Sequence, residues 1–414
     1  MTTTLAPAHR PVRRPTARPA LRPWSHLPRR YAVALGVDAL GAGLLRPFLL
    51  LYGVSVLHLT AGRTGLALTV GLFAGLAAVP LTGRWIDRGA RSSAAALALL
   101  LRALGVVVLM AADGPVGFTA AVVVLGVGNQ SWPTAHAAVV TAVTEGRARD
   151  AALAAGRSLR NAGLGLGALI ATAVLAGGAG ALRTLAAVTG VAFLAAAALT
   201  FSLRLSGTRR RAAGRPAATP DAPAAPVAAV RLGVLGIANL PYAFCFDVLE
   251  VALPALLVTR LHASAAWASG IFVGNTVLVI AAQVAVVVRL GRRARRSALA
   301  GAGLLLAASY LGFWAAGSLG GTAGAIGLVA VAVPYTLGEI LYTGSGTALV
   351  VASAPPERLG RALARWELST GLGKALAPAA LTALLGVGPG ALWGALAAAT
   401  ALGAAAVRRW GPAI

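Results

Sequence analysis

Six charged residues lie inside long apolar stretches of the sequence, where a charge needs a partner or water. They are Asp38, Arg46, Asp247, Glu250, Glu339 and Lys374. An ionisable side chain inside a lipid-facing segment costs about 2.5–3.5 kcal/mol on insertion scales, so each one is a functional candidate. Carboxylates in such a setting can take up and release protons, and an amine can meet an anionic group. The predicted chemistry is therefore proton exchange or contact with a polar small molecule.

The strongest proton-exchange candidate is the pair Asp247 and Glu250. Their spacing of three places them on one face of an α-helix. Two neighbouring carboxylates in a low dielectric resist being ionised together, so one of them is expected to hold a proton. The structural alternative is that both pair with Arg46 or Lys374. Asp38 cannot bond Arg46, because eight residues separate them by about 12 Å along a helix.

Lys374 follows Glu367 by seven residues and so shares its helix face. This amine would either contact an anionic substrate or form a buried pair with Glu339. Arg102 is expected to extend its guanidinium towards the nearer membrane surface. Weaker candidates could serve a cavity or only pack between helices: His136, Tyr335, Tyr342, Asn129, Gln130, Asn161, Asn239, Asn275 and Gln283.

The elements that must position these residues are membrane-spanning helices. The chain has 414 residues, of which 58% are hydrophobic and 11% charged, whereas a soluble domain carries about 25% charged residues. Only helices or closed barrels satisfy every backbone group in lipid, and the apolar blocks have helical length. Twelve spans are predicted, at 31–58, 64–82, 92–112, 116–141, 151–177, 182–204, 231–259, 266–288, 297–317, 322–350, 367–386 and 389–408.

The arginines predict the orientation of these spans. One set of loops, together with both termini, holds nearly all of the 36 basic residues. The other set of loops holds only Arg63, Arg183 and Arg260. By the positive-inside rule, this distribution places both termini on the cytoplasmic side of a cytoplasmic membrane.

The domain organisation follows from the same pattern. Residues 1–30 are predicted to form a disordered basic cytoplasmic arm, 31–204 a first six-helix bundle, 205–230 a cytoplasmic linker, and 231–409 a second six-helix bundle. The glycine motif Gly163-Leu164-Gly165 in span 5 recurs as Gly371-Leu372-Gly373 in span 11. A parallel repeat of this kind places a substrate site between the halves, near the middle of the membrane.

Composition and motifs also argue against several function classes. The net charge is +25, but the basic clusters lack the interleaved aromatics typical of nucleic-acid binding. No phosphate-binding Gly-x-x-x-x-Gly-Lys-Ser/Thr motif occurs, so ATP hydrolysis on this chain is not expected. The sequence shows no recognisable set of a nucleophile, a histidine and an acid, so an enzyme is not expected. With Cys245 as the single cysteine, no disulfide within the chain, metal site or cofactor is expected.

The loop after span 2 carries a family resemblance. Gly83 is followed by Asp87-Arg88 and then by Arg91, which resembles the loop signature of the major facilitator superfamily. The stretch Gly41–Phe48 resembles the first helix of drug-exporter-like members. The resemblance implies two pseudo-symmetric six-helix bundles, a functional monomer, and a gate in which Asp87 meets the cytoplasmic end of span 11. Arg88 and Arg91 would bond neighbouring groups there, or would only enforce topology.

The sequence departs from the family pattern at three places. Span 4 lacks the frequent embedded arginine, span 5 lacks the Gly-Pro pair of antiporters, and Val288 replaces the acid in the second copy of the loop signature. The leading hypothesis is proton-driven export of a small, amphipathic or cationic organic molecule, with protons carried by Asp38, Asp247, Glu250 and Glu339. Uptake by symport or facilitated diffusion is the first alternative. A non-transporting sensor or scaffold, for which the buried charges are structural, is the second.

Overall fold

The computed structural model describes residues 27–175, 178–203, 224–259, 261–262, 264–290 and 294–412. Within these ranges the chain is helical and contains no strand, in agreement with the predicted fold class. Twelve helical segments are described: α1 (Arg29–Leu45, Arg46–Phe48 and Leu49–Ser55), α2 (Ala61–Asp87), α3 (Arg91–Met110), α4 (Pro115–Val143), α5 (Gly146–Val174), α6 (Gly178–Phe201), α7 (Ala224–Ala243, Cys245–Asp247, Val248–Ala252 and Leu253–Thr259), α8 (Ala265–Leu290), α9 (Arg295–Ser318), α10 (Gly321–Ser353), α11 (Leu359–Val387) and α12 (Pro389–Trp410).

Ten of these segments are long and apolar enough to cross a membrane. The other two are α4 and α5. The apolar sequence of α4 contains the polar run Asn129-Gln130-Ser131, and α5 carries several arginines in its first half. The predicted arm lies outside the described residues except for its last four positions. The predicted linker lies outside them up to residue 223, and the structure begins α7 at Ala224, inside the predicted linker.

Each predicted span coincides with one helical segment, and the main differences lie at one end of the bundle. There α2, α5 and α11 extend several residues beyond the apolar blocks into charged sequence. We call this end the arginine-rich end. Its exposed or partly exposed basic side chains include Arg84, Arg88, Arg91, Arg147, Arg149, Arg295, Arg296, Arg358 and Arg361.

The glycine motifs of the first half bring α1 and α5 into close contact. A Cβ atom added to Gly163 would lie 2.5 Å from the Cβ of Ala39, and one added to Gly167 would lie 2.5 Å from the carbonyl oxygen of Leu40. Small residues are the usual means by which membrane helices approach closely, because apolar burial drives little association inside lipid. The motif in span 5 therefore has a packing role.

The second half repeats this contact between α7 and α11. A Cβ atom on Gly373 would lie 2.6 Å from the Cβ of Ala243 and 2.9 Å from the carbonyl oxygen of Leu240. Thus α1 with α5 and α7 with α11 are equivalent pairs in the two halves. This equivalence is the structural counterpart of the sequence repeat.

The tightest helix crossing joins α2 to α4. A Cβ atom on Gly126 would lie 2.0 Å from the carbonyl oxygen of Gly71, and one on Gly75 would lie 2.4 Å from the carbonyl oxygen of Gly126. The neighbouring atoms are backbone atoms, which cannot move aside as a flexible side chain can. Any side chain at Gly126 must therefore separate the two helices.

We expect Gly126→Ala to destabilise the folded protein by about 1–3 kcal/mol, as overpacking does in other close-packed interiors. The matched control is Gly65→Ala on α2, where an added Cβ would meet nothing within 4 Å. Thermal unfolding of the two variants in detergent checks the prediction. Equal melting temperatures for both variants would show that the crossing adjusts without cost.

The two halves meet through equivalent helix pairs, α2 with α11 and α5 with α8. In the first pair, a Cβ atom on Gly83 would lie 2.6 Å from the carbonyl oxygen of Gly360. Nearer the middle, one on Gly371 would lie 2.3 Å from a methyl carbon of Leu76. Contact between the halves is therefore close from the arginine-rich end to the middle of α2.

Candidate functional site

Charged side chains on helices of both halves lie within electrostatic range of one another. Arg46 on α1, Glu250 on α7 and Lys374 on α11 are all exposed, and they lie within electrostatic range of one another. Because these exposed and mutually interacting charges lie on helices of different halves, we infer that they line a space between the halves. We call it the central cavity and define it by Arg46, Arg157, Arg160, Asp247, Glu250, Glu339, Glu367 and Lys374.

Breaks in α1 and α7 position the first of these groups. Pro47 has no N–H to donate and crowds the preceding turn, so α1 changes to a 3₁₀ segment at Arg46–Phe48. In α7 the helix widens to a π-helical turn at Val248–Ala252, just before Pro254. Arg46 and Glu250 lie within these breaks. Discontinuous helices at the interface of two repeats are a frequent setting for binding sites in transporters.

The π-helical turn corrects the prediction that Asp247 and Glu250 share a helix face. A π-helix closes its hydrogen bonds over five residues instead of four, so a spacing of three no longer aligns two side chains. Glu250 is exposed, whereas Asp247 is partly buried and its Oδ2 atom has no hydrogen-bond partner among the described residues. The two carboxylates stay within electrostatic range of each other.

Arg102 does not extend to a membrane surface as predicted. Its side chain is buried, and Nη1 donates a hydrogen bond to Oδ1 of the buried Asp38. Its guanidinium carbon also lies 4.0 Å from the ring centroid of Phe193 on α6. Paired charges are far cheaper to bury than single ones. Asp38 is therefore held in an ion pair inside the first half, and it does not bond Arg46.

Three charged residues of the central cavity were missed by the sequence analysis as site candidates. Arg157 and Arg160 lie inside predicted span 5 but were counted with the loop arginines, and Glu367 was noted only for its position relative to Lys374. The structure begins α5 at Gly146, so both arginines lie well inside that helix. Arg157 and Arg160 both lie within electrostatic range of Glu367 of the opposite half. The sequence did offer one signal: Arg157 and Arg160 are three residues apart, which places them on one face of a helix.

Glu339 on α10 is partly buried and lies close to the side chain of Asn275. Lys374 lies within electrostatic range of Glu339 but forms no ion pair with it in the described chain. Its Nζ atom lies 4.8 Å from the ring centroid of Phe246 instead. Of the two alternatives for Lys374, the buried pair with Glu339 is therefore not formed among the described residues.

The tyrosines that flank Glu339 in sequence are packing residues. Both Tyr335 and Tyr342 are buried. Tyr335 donates its hydroxyl hydrogen bond to the carbonyl oxygen of Cys245, and Tyr342 donates to Oδ1 of Asn239 at 2.7 Å. Asn239 in turn donates to Thr370 at 2.9 Å. These bonds fix α7, α10 and α11 relative to one another and so hold the carboxylates of the second half in place.

His136 on α4 also has a packing environment. Its Nδ1 atom lies 2.8 Å from the hydroxyl oxygen of Tyr31, and the two rings stack with centroids 5.8 Å apart. A Cβ atom on Gly156 of α5 would lie 2.9 Å from the Nε2 atom. The ring therefore joins α1, α4 and α5, close to the arginines of α5.

The predicted gating loop lies against the start of α11. Oδ1 of Asp87 accepts a hydrogen bond from the backbone N–H of Gly360 at 2.6 Å, and Oδ2 accepts one from Nε of Arg361 at 2.7 Å. The carboxylate thus caps the N-terminus of α11, where free N–H groups and the helix dipole favour an anion. Arg88 is exposed, and the Nε atom of Arg91 is buried without a hydrogen-bond partner in the described chain.

A second ion pair joins the halves at the arginine-rich end. Arg295, at the start of α9, donates from Nη2 to Oδ2 of Asp150 at 2.8 Å and from Nε at 3.2 Å. Asp150 lies in the first turns of α5. In the first pair, the acid Asp87 lies at the end of α2, where the loop begins, and the base Arg361 lies on the facing helix α11. In this second pair, the base Arg295 follows the equivalent loop after α8, and the acid Asp150 lies on the facing helix α5. The second copy of the signature has Val288 in place of its acid, and Asp150 on the facing helix supplies the carboxylate instead.

The site contains no cluster typical of a metal centre. Among the described residues, no three His, Cys, Asp or Glu side chains lie close enough together to hold a metal ion. What the arrangement offers is a set of opposite charges around a space between two bundles, closed at one end by contacts between the bundles.

Comparison of the fold with solved structures finds several transporters of the same architecture. The chain aligns with a human organic anion transporter (17% identity, 94% of this chain and 100% of that one, TM-score 0.66). It aligns with a bacterial homologue of the iron transporter ferroportin in an outward-facing state (14%, 92% and 98%, TM-score 0.74). It also aligns with FucP, the Escherichia coli fucose:proton symporter (16%, 94% and 100%, TM-score 0.67).

At these identities the solved structures show a shared fold only. A search of curated protein sequences finds no relative of significant similarity. The family model of the major facilitator superfamily, however, matches residues 31–343, which is most of the chain. The chain is a multi-pass membrane protein and belongs to the major facilitator superfamily of transporters.

Proposed function

We propose that this protein is a secondary transporter that exports a small organic molecule across the cytoplasmic membrane in exchange for protons. The observation that carries the proposal is the central cavity, where carboxylates without an ion-pair partner in the described chain lie within range of basic groups of the opposite half. Charges are retained in such a position only at a cost. A function that binds and releases protons or a polar substrate explains why this chain keeps them.

The proposed orientation places the arginine-rich end and both termini in the cytoplasm, since positive residues near helix ends favour that side. All twelve helical segments then cross the membrane, and the protein acts as a monomer with one pathway between its halves. α4 and α5 cross although they are less apolar, because their polar groups contact other helices or the cavity. The proposed unit boundaries are those predicted, except that the second bundle begins near residue 224.

The mechanism we propose is alternating access. In the conformation described here, Asp87 with α11 and Asp150 with Arg295 hold the cytoplasmic end closed. Glu339 and Asp247 are the proposed proton carriers, because each is partly buried and lacks an ion-pair partner in the described chain. Protonation from outside neutralises a carboxylate and allows the halves to rock. Substrate binding from the cytoplasm favours release of the proton inward.

The exchange is tested by following proton movement in inverted vesicles with a pH-sensitive dye. We expect an exported compound to release protons from an acidified lumen, and we expect Glu339→Gln to abolish that release. Glu357→Gln is the matched control, because Glu357 is exposed on the loop before α11. Transport that continues unchanged after the pH gradient is collapsed would contradict the proton coupling.

Uptake remains the second candidate, favoured by the lack of proline in the Gly163–Gly167 segment of α5. Vesicles of known orientation separate the two directions. Substrate movement from the cytoplasmic face against its own gradient supports export, whereas accumulation only from the outer face supports symport. The pairing of Asp38 with Arg102 makes Asp38→Asn unsuitable for this assay, since it would leave a buried arginine unpaired.

A further inference from the structure

The two halves bring opposite net charges to the central cavity. In the first half, Asp38 neutralises Arg102 within a direct ion pair. The three remaining basic groups, Arg46, Arg157 and Arg160, have no ion-pair partner within 4 Å among the described residues. We call these three the arginine wall.

The second half contributes mainly carboxylates. They are Asp247 and Glu250 on α7, Glu339 on α10 and Glu367 on α11, accompanied by the single amine of Lys374. We call these four acids the carboxylate wall. One Oδ atom of Asp247 is buried and has no hydrogen-bond partner among the residues that the structure describes, so this wall also has unused hydrogen-bonding capacity.

The walls face each other across the cavity without closing on each other. Arg157 lies within electrostatic range of Glu367 and Glu339, and Arg46 within range of Glu250. None of these pairs is a direct ion pair in the described chain, although the side chains are long and flexible. The space between the walls is therefore polarised, positive towards the first half and negative towards the second.

We infer that the substrate is a small zwitterion, held with its anionic group at the arginine wall and its cationic group at the carboxylate wall. This inference rests on the proposed transport function and names its substrate class. Guanidinium groups bind carboxylates in a fixed two-bond geometry, which suits the anionic end. A singly charged compound would satisfy one wall and place its uncharged end against the other, so opposite walls select against it.

This substrate class replaces the amphipathic or cationic compound expected from the sequence. That expectation was based on a cavity lined by acids and small apolar residues. It did not include Arg157 and Arg160, which the structure places inside the bundle beside the acids.

The charge of each wall is tested first, by the reaction rates of engineered cysteines with an anionic and a cationic methanethiosulfonate reagent. Asn161→Cys reports on the arginine wall, because residue 161 lies one helical turn after Arg157. Asn275→Cys reports on the carboxylate wall, because the Asn275 side chain lies close to Glu339. Both variants are made in Cys245→Ala protein, which removes the natural cysteine. The rate ratio of the two reagents with 2-mercaptoethanol supplies the reference.

Relative to that reference, we expect the anionic reagent to be favoured at position 161 and the cationic reagent at position 275, each by about fivefold. Adding Arg157→Gln should reduce the preference at position 161. Equal ratios at the two positions, or the reverse order, would overturn the assignment of the walls.

Ligand class is then tested by protection of Asn161→Cys from labelling. The zwitterionic probes are phenylalanine and alanyl-phenylalanine. Each is compared with two singly charged derivatives of itself, the C-terminal amide, which is a cation, and the N-acetyl derivative, which is an anion. We expect at least one zwitterion to slow labelling several-fold and the derivatives to have little effect. Equal protection by a singly charged form, or protection by no probe, would overturn the zwitterion assignment. Proton-coupled transport of another compound in the vesicle assay would then still stand, so the two proposals fail separately.

Discussion

Replacing either Asp38 or Arg102 with a neutral residue is expected to destabilise the protein by about 3–5 kcal/mol. Each single replacement leaves one buried charge without a partner, and that is the costly outcome for a buried ion pair. Asp38 and Arg102 are 3% and 4% exposed, so water cannot substitute for the missing group. The pair also connects α1 with α3, while Phe193 of α6 contacts the guanidinium. The loss should therefore loosen the whole first half.

A double-variant cycle in detergent measures this effect. Asp38→Asn and Arg102→Gln should each lower the melting temperature strongly, whereas the double variant should recover much of the loss, because no buried charge remains. Arg63→Gln is the control for loss of one arginine, since Arg63 is exposed at the start of α2. It should change stability by no more than about 0.5 kcal/mol. Additive losses in the double variant would show that the two residues act independently.

The helices themselves could be predicted because membrane insertion imposes a simple rule on the sequence. Each apolar block must be long enough to cross lipid and must form a helix, so block and helix coincide along the chain. The ends could not be placed, since α2, α5 and α11 continue into charged sequence at the arginine-rich end. Because the boundary between the preceding loop and span 5 was not fixed, Arg157 and Arg160 were counted with the loop arginines although predicted span 5 begins at residue 151.

The pairing of charges could not be predicted, because it depends on distances in space and not along the chain. Asp38 and Arg102 are separated by 64 residues, and Asp87 and Gly360 by 273. The face shared by Asp247 and Glu250 was wrong for a different reason. Helical periodicity assumes one hydrogen-bonding pattern, and the π-helical turn at Val248–Ala252 departs from it.

The resemblance of the loop after α2 to the family signature located a contact that spacing alone could not locate. Asp87 was expected to meet the cytoplasmic end of span 11, and the structure places it against the first residues of α11. The roles of Arg88 and Arg91 remain predictions. The exchanged pair of Asp150 and Arg295 was not foreseen, because a motif search looks for the acid in the loop and not in the facing helix.

Removing the carboxylate of Asp87 is expected to open the arginine-rich end. Asp87→Ala deletes both the cap on the Gly360 N–H and the ion pair with Arg361. Hydrogen bonds to charged groups contribute about 1.5–3 kcal/mol, which corresponds to a tenfold or larger change in the ratio of open to closed forms. The Arg361 side chain is 50% exposed, so its ion pair alone contributes about 0–1 kcal/mol. The backbone cap should therefore account for most of the effect.

The ratio of open to closed forms is measured by thiol labelling of Ile86→Cys in Cys245→Ala protein. Ile86 is 2% exposed, and an added Cβ on Gly360 would lie 2.8 Å from its Cβ, so it reacts only when the halves part. Asp87→Ala should raise the labelling rate about tenfold, and Arg361→Gln about twofold or less. Asp113→Ala, at an exposed acid before α4, should have no effect. If Arg361→Gln opened this end as far as Asp87→Ala, the ion pair and not the helix cap would hold it closed.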